Sequence, residues 1–104
     1  MPKKWQLKEK SDAKIFNGKR VKGSGNRWYN PGDIRSEHFL IEAKQTDKKS
    51  YSLNKNKLNK IYEEALFSYK TPMFSIKIQD LDVVVLFRED FEKILQQQKN
   101  QTVG

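Results

Sequence analysis

The spacing of apolar residues changes several times along this chain, and each change marks a new element. Near the start, Trp5, Glu9, Ala13 and Phe16 recur at i, i+4, i+8 and i+11, the spacing of one helix face. This predicts a first helix from about Lys4 to Ala13, with Lys8, Lys10 and Lys14 toward the other faces. Glu9 then lies on the inward side among apolar residues. The helix dipole alone also favours a glutamate in a first turn, and Asp12 is a second acid on the same segment. Asn17-Gly18 reads as a turn and Lys19-Arg20-Val21-Lys22 as a short edge strand.

Asp33-Ile34-Arg35 begins a second strand, Ser36-Glu37 makes a tight turn, and His38 to Lys44 forms a central strand. A hairpin between the two brings Asp33 beside Glu42 or a residue near it. With a side-chain period of two, Glu42 and Lys44 share one face, while Phe39, Ile41 and Ala43 take the other.

Leu58, Ile61, Tyr62, Ala65, Leu66 and Tyr69 then keep helical spacing. They predict an amphipathic helix whose stripe is core and whose end is marked by Pro72. Met73 to Gln79 alternates, as a strand with one polar face does. Asp80-Leu81-Asp82 turns the chain, and Val83 to Phe87 is a continuous apolar run expected of a buried strand. Arg88 to Gln98 reads as a last helix carrying Phe91, Ile94 and Leu95. The expected architecture is a single-domain α/β fold over residues 1–98, a mixed β-sheet flanked by helices. Residues 99–104 are expected to be a frayed tail.

The 104 residues suffice for one compact domain with a modest core. Lys and Arg number 21 against 13 acids, a net charge of +8, and such a field attracts polyanions, of which nucleic acid is the commonest. No apolar run approaches the roughly 20 residues of a membrane span, and no apolar stretch follows the basic start as in a signal peptide. No membrane association is expected. Cysteine is absent and there is one histidine, which excludes disulfide scaffolds, thiol catalysis and structural zinc. An intracellular, cytoplasmic location follows as the expectation, and any metal should be a hard, oxygen-bound ion such as magnesium or manganese.

Two stretches carry candidate nucleic-acid contacts. The first, Gly23-Ser24-Gly25-Asn26-Arg27-Trp28-Tyr29-Asn30-Pro31-Gly32, is rich in chain breakers. It is neither a Walker loop nor a dinucleotide fingerprint. Its glycines allow close approach of backbone amides to a phosphate, and Arg27 with two aromatics suits phosphate contact and base stacking. The same aromatics could instead tuck onto the core or onto a partner. Lys22, Ser24 and Arg27 are its candidate DNA contacts. The second stretch follows the central strand, where Gln45, Thr46, Lys48, Lys49, Ser50 and Ser52 are polar or basic. Simple solvation explains such a loop equally well.

Two charges on one face of an apolar strand, with an acid entering from the neighbouring strand, suit a divalent metal beside a phosphate. The set Asp33 followed by Glu42-Ala43-Lys44 resembles the PD-(D/E)XK nuclease superfamily. Within that superfamily the chain looks most like the small archaeal and phage-type Holliday junction resolvases. The resemblance extends from about Glu9 to Leu86, with glycine inserted in Pro31-Gly32-Asp33 where the family has a proline–acid pair.

It implies a restriction-endonuclease-like core, Glu9, Asp33, Glu42 and Lys44 as the catalytic set, and Mg2+ with Mn2+ able to substitute. Asp33, Glu42 and the backbone carbonyl of Ala43 would be its ligands. Glu9 would bind directly, through water, or at a second metal. Lys44 would orient water or offset transition-state charge. The implied activity is paired nicking of four-way junction DNA by a homodimer in a bacterial or phage-infected cell. Trp28, Tyr29, Phe67 and Tyr69 are candidates for the dimer surface. Nuclease action on other branched, nicked or plain duplex DNA, and non-catalytic nucleic-acid binding, are the competing expectations.

Overall fold

The computed structural model describes residues 3–20 and 33–102. Its elements in chain order are α1 (Lys4–Ile15), β1 (Lys19–Arg20), β2 (Asp33–Arg35), β3 (Phe39–Thr46), α2 (Lys55–Phe67), β4 (Thr71–Ile78), β5 (Leu81–Leu86) and α3 (Arg88–Thr102). The five strands form one sheet in the order β1-β2-β3-β4-β5. Only β3 and β4 are parallel, and α2 makes the crossover between them, as a parallel connection requires. The other neighbours are antiparallel.

The sheet separates two apolar clusters. On one side Leu40, Phe74 and Ile76 pack with Ile61 and Ala65 of α2, joined by Leu58, Val85 and Phe87. On the other, Ile34, Ile41, Ala43 and Met73 pack with Ala13 and Phe16 of α1. Alternation along β3 feeds both clusters from one strand, which explains why its sequence is apolar at almost every position before Glu42.

Local signals set the boundaries. Asn54 caps α2 by accepting a 2.9 Å hydrogen bond from the Lys57 backbone amide. The sequence expectation that α2 runs on to Pro72 is corrected. The helix stops at Phe67, Tyr69 turns the chain in a left-handed conformation (φ 57°), and the Lys70 amide donates back to the Ala65 carbonyl at 2.8 Å. Pro72 stands at the second position of β4, one residue before pairing with β5 begins at Met73. Ile78 and Leu81 are joined by a two-residue turn with Gln79 at φ 55°.

Three expectations about burial are also corrected. The stripe of α2 is core at Ile61 and Ala65 but exposed at Leu66 and Tyr69, because only the 58–61–65 track meets the sheet. The apolar run in β5 is a sheet-edge strand with Leu81, Val83 and Val84 exposed. Within α1, Trp5 is exposed while Lys8, Glu9 and Asp12 are buried. The helix turns a charged face to the sheet because Lys8 finds three partners there. Its ammonium lies 3.1 Å from Asp12, 3.0 Å from Asp82 and 3.1 Å from the Ser75 hydroxyl. α3 extends through Thr102, beyond the sequence expectation of an end at Gln98.

Candidate active site

β2 and β3 pair with Asp33 directly opposite Glu42, Ile34 opposite Ile41 and Arg35 opposite Leu40. The predicted hairpin therefore has the register that sets the acid of β2 beside the acid of β3. Pairing with β2 ends at that step. From Ala43 onward β3 has no β2 partner among the described residues, while its other edge stays paired with β4 as far as Thr46.

Glu42 and Lys44 lie on the α2 side of the sheet, in step with Leu40 of that cluster. The Lys44 ammonium stands 3.3 Å from Oε1 of Glu42. Glu42 is the more buried of the two, its side chain 16% exposed against 34% for Lys44. A carboxylate shielded to this degree needs a nearby cation, and Lys44 supplies it.

Sequence reasoning did not single out Glu64. It projects from α2 one position before buried Ala65 and is half-buried. Burial pushes its carboxyl upward; Lys60 one turn earlier pulls it down, and the charge of Glu42 pushes it up again. The signal available in the sequence was its place beside the 58–61–65 track, which brings a helix residue to the rim of the sheet.

The sheet stands between Glu9 and Glu42. Glu9 is buried in α1, whose apolar contacts are to Ile41 and Ala43, the residues flanking Glu42 on the opposite face. The expected joining of Glu9 to the β3 acid is thus not found, and neither is it for Asp12, which is ion-paired to Lys8 in the same layer. The physical reason is the two-residue period of β3: a helix that buries Ile41 and Ala43 cannot also face Glu42.

Candidate phosphate contacts divide in the same way. Gln45 lies on the α1 side, where with Lys4, Lys8, Asp12, Lys77 and Asp82 it borders a cavity of about 410 Å³. Thr46 accepts from the Lys48 amide at 3.1 Å, and Lys48, Lys49, Ser50 and Ser52 are exposed on the loop beyond. Lys22, Ser24, Arg27 and the aromatics Trp28 and Tyr29 lie outside the described residues, as does the Asp33 side chain.

The donors on the α2 face are hard oxygens, the kind magnesium and manganese take. Among the described residues no group of three or more acids or histidines is arranged to hold a metal. A magnesium ion that keeps several waters needs few protein ligands, and the described hard-oxygen group on this face next to the β2 pairing is the Glu42 carboxylate. No helix among the described residues is long and apolar enough to cross a membrane. Comparison with family models, with curated proteins and with solved structures finds no match for this chain.

Proposed function

We propose that this chain is a metal-dependent DNA endonuclease with a PD-(D/E)XK-type site built from Asp33, Glu42 and Lys44, acting on branched DNA such as four-way junctions. The single observation that carries this reading is the register Asp33 opposite Glu42 combined with the Glu42–Lys44 pair on one sheet face. Direct cross-strand partners share a face, so in this reading the hairpin would bring an acid, an acid and a cation to one place. The surrounding excess of positive charge supports a polyanionic substrate.

In this reading Asp33 and Glu42 would hold the magnesium, with the Ala43 carbonyl as a further oxygen where β3 leaves its β2 partner. When bound, the ion would neutralise phosphate charge and help deprotonate water. Lys44 would exchange its contact with Glu42 for the scissile phosphate and offset the charge that grows as water bonds to phosphorus and the bond to the leaving oxygen breaks. Glu42 thus has a counter-ion in both states, the Lys44 ammonium in one and the metal in the other. Glu9 has no part in this face of the sheet.

Recognition would rest on phosphate contacts and DNA shape, with affinity falling steeply as salt rises. A non-catalytic nucleic-acid-binding protein is the second reading, favoured by the fact that Glu42 already has its counter-ion in Lys44.

The test uses a labelled four-way junction and a matching linear duplex, with magnesium or with chelator, beside Glu42→Gln. Paired nicks in the junction alone, lost with chelator and in the variant, are expected. Equal cutting of both substrates would remove the branched-DNA claim. Binding without metal-dependent cutting would leave the second reading.

A further inference from the structure

The cavity of about 410 Å³ on the α1 side of the sheet has no part in the proposed chemistry, which lies on the α2 side. Its floor is the carboxyl end of the parallel pair β3–β4. Gln45 and Lys77 are direct partners there, each one residue before the end of its strand, and Asp82 of β5 stands opposite Lys77. Open α/β sheets bind their ligands outside that end of the strands. The volume falls within the range of small-molecule sites, roughly 300–1,000 Å³.

The charges that border the cavity are three lysines and three aspartates, and most are already matched. Lys4 pairs with Asp47 at 2.9 Å, both side chains exposed, and Gln79 ties the same loop by donating to the Asp47 carbonyl at 3.2 Å. Lys8 is held by Asp12, Asp82 and Ser75. Two carboxylates thus share one ammonium, and one negative charge is left over. Asp12 carries part of it in a side chain only 7% exposed, and its Oδ2, 3.1 Å from the Lys8 ammonium, receives no hydrogen bond. A buried acceptor in that state calls for a donor. Lys77 is the counterpart. It is half-buried, and its ammonium has no hydrogen bond or ion pair among the described residues, because its cross-strand acid Asp82 is turned to Lys8 at 3.0 Å. The cavity therefore presents one unmatched cation and one unmatched anion.

We propose that this cavity binds a free α-amino acid, its carboxylate on Lys77 and its ammonium toward Asp12 and Asp82. A ligand of one sign would satisfy one unmatched charge and be repelled by the other. A phosphate would meet the two aspartates, and a bare metal ion would meet Lys8 and Lys77. A zwitterion satisfies both, with a charge-assisted hydrogen bond at each end. Gln45 and Gln79 donate through their side-chain nitrogens to backbone carbonyls, which leaves their side-chain oxygens to accept from a polar ligand. Leu7 supplies an apolar wall for the rest of the molecule. The inference stands without the nuclease reading, since it uses the face of the sheet opposite Glu42.

Calorimetry on the whole chain, titrated with each of the standard α-amino acids to about 10 mM, tests this. At least one is expected to bind, with a dissociation constant on the order of a millimolar or tighter. Its N-acetyl derivative lacks the ammonium and its amide lacks the carboxylate, and each should bind about tenfold or more weakly. Lys77→Met and Asp82→Asn should weaken the free amino acid by a similar factor, with circular dichroism checking that both stay folded. Lys77 lies outside the Lys8 cluster, so Lys77→Met alone carries the test if Asp82→Asn loosens the fold. A chain that binds none of the amino acids overturns the inference. So does binding that survives the blocking of either end, or that Lys77→Met leaves unchanged. Inorganic phosphate or adenosine monophosphate that binds through Lys77 where amino acids do not would overturn it too, and would assign the cavity to an anion.

Discussion

Glu9 and Glu42, the two acids that a linear reading places in one site, lie on opposite faces of the same sheet. Glu9 is buried in the helix that covers Ile41 and Ala43; Glu42 points to the α2 side between them. The two carboxylates therefore make different predictions. Glu42→Gln should reduce metal-dependent cutting by about a hundredfold or more, the scale of removing one directed charge contact, while DNA binding measured by anisotropy stays near wild type. Glu9→Gln should leave cutting within a few-fold and act on stability instead, read as a lower thermal midpoint. Equal loss of cutting in both, with folding intact, would place Glu9 at the site after all.

Lys44 is the counter-ion of Glu42 and, in the proposed reaction, of the phosphate. Lys44→Met keeps the aliphatic stem and removes the charge. Single-turnover cutting should fall by about a hundredfold or more, and magnesium affinity by calorimetry should rise, because the cation competing for Glu42 is gone. A variant with lower metal affinity would contradict that competition.

Lys8 is a buried ammonium shared by Asp12, Asp82 and Ser75. Lys8→Met strands the Asp12 carboxylate, whose side chain is 7% exposed, and should cost about 3–5 kcal/mol in urea unfolding. The double variant Lys8→Met with Asp12→Leu should recover a large part of that loss, since an apolar pair of similar volume needs no compensating charge. A double variant as unstable as the single would mean that the fold requires the ion pair itself.

The Glu64 carboxyl is raised from its ordinary value, chiefly because burial disfavours its charge, with Lys60 pulling it down and Glu42 adding repulsion. The folded state then holds this proton more tightly than the unfolded state. Its contribution to stability is fully present below the unfolded carboxylate pKa of about 4.3 and is lost as pH rises through the folded value. Glu64→Gln should therefore be more stable than wild type at pH 7, with the difference vanishing below about pH 4. Chemical denaturation at both pH values decides it, and a variant less stable at pH 7 would show that the Lys60 contact outweighs burial.

Gly18 follows the left-handed Asn17 (φ 53°) at the corner between α1 and β1. A β-carbon there would stand 2.6 Å from Cγ2 of Ile34 and 3.0 Å from the Arg35 carbonyl oxygen. Ile34 is fully buried and cannot move aside. Gly18→Ala should destabilise the chain by about 1–3 kcal/mol, measured by thermal or urea unfolding. A neutral substitution would mean that β2 yields at this contact.

The chain's own pattern determined the order and kind of its elements. Alternation from Phe39 and the spacing of Leu58, Ile61 and Ala65 are local properties, written in side-chain periods of two and 3.6, so the hairpin and the shared face of Glu42 and Lys44 could be read directly, while the register that sets Asp33 opposite Glu42 came from the paired strands. What the pattern could not contain is which face each helix covers. Lys8 looked solvated until Asp82, 74 residues later, reached it across the sheet. The apolar run at Val83 looked like an interior strand until the strand order placed it at an edge. Glu9 looked like a neighbour of Glu42 until α1 docked on the Ile41 side. Each of these turns on contacts between residues far apart in sequence, and only tertiary packing decides on which side of a sheet a helix comes to rest.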